Sequence, residues 1–328
     1  MPWLQEGHLT RDSRIYIGGH SGLAGSAIRR KLQADGYRHI ITRTHGELDL
    51  TNQLAVAKFF ATERPEYVFM AAAKVGGILA NDSYPVEFLR DNLLIETNVI
   101  DAAYRNGAKK LLFLGSSCVY PKHAPQPIKE EYLLTGLLES TNEWYAVAKI
   151  AGLKLVQAYR KEHGFDGISA MPTNLYGPGD HFDPFESHVL AALIQKFHVA
   201  KMNRDTEVVV WGTGKPRREF MHVNDLADAC VFLMLRYSSA EPINVGTGYD
   251  ISITELAHLI GEVVGYRGSI RYDLSKPDGT PRKLLDVSRI QTLGWKARIS
   301  LLEGIEQTYS WYCDQHSNIK EAAIILNA

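Results

Sequence analysis

The sequence predicts an α/β protein of Rossmann type, a doubly wound parallel sheet followed by a smaller C-terminal substrate-binding lobe. Two observations carry this expectation. Through residue 175, short apolar runs of strand length alternate with longer segments of helical spacing, the pattern of a parallel sheet covered by helices on both faces. A glycine-rich turn separates the first run from the first helical segment, where such folds receive a dinucleotide phosphate. Strands are expected at 14–18, 39–42, 67–72, 110–115 and 167–171, and helices at 22–34, 54–63, 86–106 and 143–163. After Tyr176 the pattern loosens into a Gly, Pro and Asp cluster over 177–184 and resumes as shorter, mixed elements. Residues 14–175 are therefore expected to form the dinucleotide-binding domain. Residues 176–328 should be mainly the substrate lobe, partly interleaved with that domain, and residues 1–13 a loose N-terminal extension.

Composition removes several classes of function. The 328 residues carry 36 basic and 37 acidic side chains, a formal net charge of −1. No basic run offers nucleic acid an electrostatic footprint. No apolar run approaches the roughly 20 residues of a membrane helix, and the segment 229–235 stops at Arg236. The first thirteen residues include Glu6, Arg11 and Asp12 and do not read as a secretory signal. Cys118, Cys230 and Cys313 are too widely spaced for a disulfide framework or a C-x-x-C metal site, so a reducing, cytoplasmic setting is expected. The 12 histidines form no H-x-x-x-H pair on an expected helix, and no metal is expected.

The turn reads Gly19-His20-Ser21-Gly22-Leu23-Ala24-Gly25, a G-x-x-G-x-x-G pattern. Bare backbone there allows a tight turn and lets a pyrophosphate reach the free N–H groups of the helix. The bland alternative is a plain strand-to-helix turn, but its place at the first turn of an alternating pattern favours dinucleotide binding. Where the second strand ends, an NAD site commonly offers a carboxylate to the ribose; here Arg43 stands, a cation suited to a 2′-phosphate. NADP is thus favoured over NAD, with a solvated surface charge as the bland reading of Arg43. Asp49 falls near the expected adenine contact.

The strand expected to end at Gly115 continues into Ser116-Ser117-Cys118, and a helix then presents Tyr145 and Lys149. A spacing of four puts both on one helical face. A free tyrosine titrates near 10, too high for acid-base work at neutral pH, so the ammonium and a cationic nicotinamide are expected to lower it. Ser116 would hydrogen-bond the reacting oxygen. A core aromatic beside a surface lysine is the alternative for any lone Tyr-x-x-x-Lys; the glycine turn and the Ser-Ser strand end, in the right order, argue against it.

These residues resemble the extended short-chain dehydrogenase/reductases that act on nucleotide sugars, and among them the GDP-sugar 3,5-epimerase-4-reductases. The resemblance rests on Ala71-Ala72-Ala73-Lys74-Val75-Gly76-Gly77-Ile78, Leu112-Phe113-Leu114-Gly115-Ser116-Ser117-Cys118, Met171-Pro172-Thr173-Asn174-Leu175-Tyr176-Gly177-Pro178 and Lys276-Pro277-Asp278-Gly279-Thr280-Pro281-Arg282-Lys283. It spans residues 14 to about 312. It implies a cytoplasmic homodimer that takes GDP-4-keto-6-deoxy-D-mannose to GDP-L-fucose, by epimerisation at C3 and C5 and then hydride transfer from NADPH to C4. Tyr145 would protonate the C4 oxygen, Lys149 would hold the nicotinamide ribose, and Ser116 would complete the hydrogen bonds.

Cys118 and His188 match the family's base and acid pair, in an order the sequence leaves open. Their bland readings are a small buried hydrophobe and a satisfied core histidine. The cofactor would also touch Leu114, Gly115, Ser117, Pro172, Thr173, Asn174, Leu175 and His188, with Asn174 shared by the sugar. Lys196, Trp211, Arg218, Asp278 and Lys283 are implied for the GDP end. Two departures stand out: Lys196 and Ser21 occupy positions where many relatives have arginine, which implies a weaker grip on phosphate and less discrimination against NAD. The alternatives are a redox-neutral nucleotide-sugar 4-epimerase or dehydratase of the same fold, or a non-catalytic dinucleotide-binding protein. Cys118-Val119 in place of an Asp-Glu pair counts against dehydration, and the presence of Ser116, Tyr145 and Lys149 counts against a non-catalytic role.

Overall fold

The computed structural model describes residues 9–183, 187–276 and 278–326. Residues 1–8 of the expected N-terminal extension and 327–328 of the apolar tail lie outside the described residues. The first half alternates β1 (Arg14–Gly18), α1 (Leu23–Ala34), β2 (His39–Ile41), α2 (Gln53–Glu63), β3 (Tyr67–Met70), α3 (Ile78–Ser83), α4 (Pro85–Arg105), β4 (Lys110–Leu114), α5 (Glu143–His163) and β5 (Asp166–Pro172). The second half holds β6 (Asn174–Tyr176), α6 (Val189–Asn203), β7 (Glu207–Trp211), β8 (Arg217–His222), α7 (Val223–Arg236) and β9 (Ile243–Val245). It continues with β10 (Asp250–Ser252), α8 (Ile253–Val264), β11 (Ser269–Asp273), β12 (Arg282–Lys283), α9 (Ser288–Thr292) and α10 (Leu301–Leu326).

Six parallel strands form the central sheet in the order β2-β1-β3-β4-β5-β9. Its inner strands are apolar on both faces, with Ile15, Ile17, Val68, Phe69, Leu111, Leu112 and Phe113 fully buried, as a sheet sandwiched between helices requires. Strand order reverses between β1 and β3, which opens a crevice at their carboxyl ends. β3 stops at Met70, two residues short of the expected end. Gly18 is the last residue of β1 to pair with it, and Gly19 turns away at φ +81°, leaving Ala72 without a strand neighbour on that side.

The interleaving of the two halves is direct: β9 joins the sheet beside β5, and α7 packs on α1. The smaller lobe has its own core, in which Leu190, Ile194 and Phe197 of α6 meet Leu256 and Ile260 of α8, Val210 of β7 and Ile305 of α10.

One carboxylate joins the lobes. Glu219 on β8 is fully buried and accepts the N–H groups of Thr247 (2.6 Å), Gly248 (2.8 Å) and Leu285 (2.9 Å). Its backbone carbonyl accepts the Asn174 amide at 2.7 Å and the Thr173 hydroxyl at 3.2 Å, where the chain leaves β5 for the small lobe. A Cβ on Gly246 would lie 2.3 Å from Glu219 Oε1, so only glycine lets the carboxylate approach this closely. Removing it strands one buried and two half-buried N–H groups. Glu219→Ala is expected to cost about 3 kcal/mol or more, read as a loss of several degrees in thermal midpoint by calorimetry; an unchanged midpoint would show that the lobes are held by other contacts.

Candidate active site

β1 delivers the chain to the crevice through Gly19 and Gly22. Cβ atoms would come within 2.7 Å of Ala72 Cα at Gly19 and within 2.1 Å of the Gly19 carbonyl at Gly25, so the tight turn and the seat of α1 both require glycine. Gly22 caps α1 without a side-chain hydrogen bond, and the first turn holds no acidic residue. Its N–H groups and the positive end of the helix dipole are therefore left for an anion. His20 sets a buried Nδ1 beside this turn with no partner among the described residues. Ser21 is exposed, and Leu23 and Ala24 are half-buried. An uncapped helix end, a bare backbone and an unpartnered imidazole nitrogen fit a dinucleotide diphosphate.

At the end of β2, Arg43 has a partner that sequence spacing does not reveal. Its guanidinium is 2.5 Å from Glu63 at the end of α2 and lies over the Phe59 ring at 5.4 Å. Asp49 accepts the Thr51 N–H and hydroxyl at 2.9 and 2.8 Å, which hold its carboxyl below the usual range.

β4 ends at Leu114, and after Gly115 the chain enters a 3₁₀ turn, Ser117–Val119, capped by Ser116. The Ser116 oxygen accepts the Cys118 N–H at 3.3 Å, leaving its own proton to donate. α5 carries Tyr145 and Lys149 to the same place. Lys149 is 2% exposed; its ammonium donates to the Leu114 carbonyl at 3.1 Å and lies 4.8 Å from the Phe113 ring centre and 5.7 Å from that of Tyr145.

The ammonium also sits 3.1 Å from Glu96 of α4, which is 1% exposed. This corrects the expectation that Lys149 lowers the Tyr145 phenol. Burial raises it well above its ordinary value, and the charges of Cys118 and then Glu96 add to that shift.

Cys118 is buried and its thiol is pushed up by desolvation, against the opposing charge of Lys283, the hydrogen bond of Ser116 and the charge of Lys149. Lys283, on β12 opposite Arg218, lines one small cleft with Cys118 and Ser117. The sequence assigned it to the GDP end; the fold sets it beside the cysteine. His188 lies at the solvent-accessible start of α6, where desolvation by its surroundings and the Lys283 charge lower its imidazole. Pro172 and Thr173 are buried at the end of β5, Leu175 is half-buried on β6, and Asn174 commits its amide N–H to Glu219.

Farther out, Lys196 of α6 lies 4.8 Å over the ring of the half-exposed Trp211, which Lys276 faces at 5.4 Å. Asp278 accepts the Thr213 N–H and hydroxyl at 2.6 and 2.8 Å, and its charge, with that of Glu139, opposes the desolvation that lowers Arg218.

Sequence reasoning missed Glu96 and gave Lys276 no role. The signal for Glu96 is present: with Asn92 it lies on the helical stripe Phe88, Asn92, Glu96, Val99, Ile100, Ala103, all buried, where a charge is out of place. Among the described residues no group of three or more His, Cys, Asp or Glu side chains could hold a metal ion, and no helix is long and apolar enough to cross a membrane.

A crevice at the strand-order reversal, with an uncapped glycine turn and a Ser, Tyr and Lys set around one strand end, defines a nucleotide-dependent oxidoreductase or epimerase. Residues 15–246 match the NAD dependent epimerase/dehydratase family, and the chain belongs to it. It is 60% identical over 302 residues to GDP-L-fucose synthase 1 of Arabidopsis thaliana, covering 92% of this chain and 94% of the relative. Among solved structures it resembles a GDP-6-OMe-4-keto-L-xylo-heptose reductase from C. jejuni, with TM-score 0.90 and 39% identity over 94% of this chain and 100% of that one. It also resembles a GDP-L-fucose synthetase from Naegleria fowleri bound to NADP, with TM-score 0.87 and 30% identity over 94% and 97% of the two chains.

The phosphate site can be tested without disturbing the fold. A Cβ at Gly22 would meet only the Gly19 carbonyl, at an ordinary 3.6 Å, and the residue's φ of −80° suits any side chain. Gly22→Asp is expected to put a carboxylate where the diphosphate docks and to weaken NADPH binding by about tenfold or more, read by fluorescence titration at unchanged thermal midpoint. Undiminished binding would move the phosphate elsewhere.

Proposed function

We propose that this chain is an NADPH-dependent GDP-L-fucose synthase, converting GDP-4-keto-6-deoxy-D-mannose to GDP-L-fucose by epimerisation at C3 and C5 followed by reduction at C4. What carries the reading is the convergence on Cys118 of Ser116, Tyr145, Lys149 and Lys283, with His188 beside Lys283. A reductase needs only the serine, tyrosine and lysine; the cysteine and histidine supply what epimerisation adds.

The 4-keto group acidifies the protons at C3 and C5, and inversion requires a base on one face of the ring and an acid on the other. In the free chain desolvation keeps Cys118 as a thiol and His188 neutral, so the pair holds one mobile proton between them. Passing that proton from sulfur to imidazole creates a base and an acid together, and Lys283 stabilises the thiolate end. Ser116 and Tyr145 donate hydrogen bonds to the C4 oxygen as it gathers negative charge. Bound NADPH supplies the hydride. Tyr145 then gives its proton to the C4 oxygen, and the raised affinity of its phenol for that proton keeps it in the donating form beforehand.

The uncapped end of α1 would hold the cofactor diphosphate, and Arg43 its 2′-phosphate. Lys196 and Lys276 at the face of Trp211, with Arg218 as a further cation, supply charge and an aromatic face suited to GDP. α4 and α5 pack together and leave Leu94, Trp144 and Val147 partly exposed, an apolar surface for a second copy in a homodimer. The free cysteines suit the cytoplasm.

Two variants separate the half-reactions. Tyr145→Phe is expected to slow C4 reduction by about a hundredfold or more, while solvent deuterium still washes into C3 and C5 by NMR; loss of both together would undo the division of labour. Cys118→Ser is expected to suppress that exchange and leave NADPH affinity intact, and an active variant would return Cys118 to a structural role. For the whole reading, NADPH oxidation at equal stoichiometry with GDP-L-fucose formation is the expected result. Cofactor binding without net oxidation would point instead to a redox-neutral epimerase.

A further inference from the structure

Lys149 could reach solvent and the cofactor from α5 without any acidic partner, yet the fold buries Glu96 against it. Both side chains are almost inaccessible, at 1% and 2%, and 3.1 Å separates Lys149 Nζ from Glu96 Oε1. Burial pushes the Glu96 carboxyl up, and the Lys149 charge and hydrogen bond, with the Gly152 backbone N–H, oppose that shift and favour the carboxylate. Burying two charges is costly and stabilises a fold poorly, which makes this pair an unusual use of core space.

The surrounding residues accommodate it. A Cβ at Gly152, one turn beyond Lys149 on α5, would lie 2.4 Å from Glu96 Oε2 and 2.6 Å from Phe113, so bare backbone is what seats the carboxylate. The Leu114 carbonyl and the Phe113 ring hold the ammonium from the strand side.

We propose that Glu96 is a positioning residue for the reduction, its carboxylate fixing the Lys149 ammonium below Tyr145 and balancing its charge there. The inference rests on the functional reading above for the direction of the chemistry. A reductase must enter its cycle with the phenol protonated, and an unbalanced ammonium beneath the ring would favour the phenolate. Glu96 removes that bias while leaving Lys149 in reach of a ribose. Around Tyr145 and Lys149 the titratable groups are Glu96 from α4, Cys118 from the turn after β4 and, acting on Cys118, Lys283 from β12.

Glu96→Gln keeps the volume and the Gly152 seat and removes only the charge. The first readout needs no sugar: the Tyr145 Cζ resonance of 13C-tyrosine protein with NADP bound, identified by its loss in Tyr145→Phe. It is expected to titrate at least about one pH unit lower in Glu96→Gln. The basic limb of the reduction rate should move by the same amount, with KM for the nucleotide sugar unchanged. Glu96→Asp keeps the charge and should restore the wild-type titration. Gly152→Ala, whose methyl pushes the carboxylate off the ammonium, should shift it as Glu96→Gln does and serves if that variant does not fold. A titration and pH profile unmoved in Glu96→Gln or Gly152→Ala, with only a lower thermal midpoint, would overturn the proposal. Wild-type protein that fails to turn over GDP-4-keto-6-deoxy-D-mannose would sink the functional reading alone and leave the titration to judge Glu96.

Discussion

The geometry of the cleft depends on the buried carboxylate of Glu219. It lies between lobes whose connections are short and whose cores are separate, and such lobes would ordinarily slide over one another. Three backbone N–H groups converge on one side chain, from the turn after β9 and from the segment between β12 and α9. The same residue's carbonyl takes Thr173 and Asn174 at the crossing out of β5. Loops on both walls are thus referred to one point. Burial raises the Glu219 carboxyl, and the three N–H donors oppose the shift.

The cleft concentrates positive charge. Lys149, Lys196, Arg218 and Lys283 all lose solvent there, and desolvation lowers the last three. Of the four, Lys149 alone has a carboxylate in ion-pair contact among the described residues. Lys196 reaches only the Val209 carbonyl at 3.4 Å and the Trp211 face, and Arg218 bonds its neighbour's carbonyl. Desolvated cations without partners are unfavourable in the free chain, and a polyanionic ligand reverses the sign. The inner lysine is balanced from within the protein, whereas the outer cations have no carboxylate in ion-pair contact among the described residues.

Most of the framework was legible because its signals are local. The expected helix over 143–163 has the limits of α5, and β1 has those of the first expected strand, since alternation, a glycine boundary and a closing Gly164 at φ 69° lie within a few residues of each other. Contacts between distant elements left no such trace. Arg43 was read as a cation suited to a 2′-phosphate; the fold adds a carboxylate beside it, Glu63, twenty positions on, which also pairs with Arg14 at 3.0 Å. The resemblance implied Lys283 for the nucleotide end, and nothing in the sequence tied it to Cys118; β12 pairing beside β8 brings the two together. The Tyr145 phenol is raised chiefly by its own burial, which spacing does not reveal, and the charges that add to it come from Cys118 and from Glu96 on another helix.

These long-range contacts change the proton inventory of the pocket. Read from the chain alone, a Tyr and Lys pair four apart suggests a phenol primed to lose its proton, the form an alcohol dehydrogenase would need. In the folded chain burial raises the phenol and the thiol, which favours their protonated forms, and lowers the imidazole, which favours its neutral form. A pocket with two loaded donors and one empty acceptor suits a substrate that first shuttles protons at carbon and then consumes one at oxygen. Under the proposed function each reduction would remove one proton from Tyr145, which solvent must replace before the next turn, whereas epimerisation returns what it takes. On the proposed assignment the two chemistries share a pocket without sharing a proton: Cys118 and His188 would exchange theirs with the ring carbons, and Tyr145 would keep its own for C4.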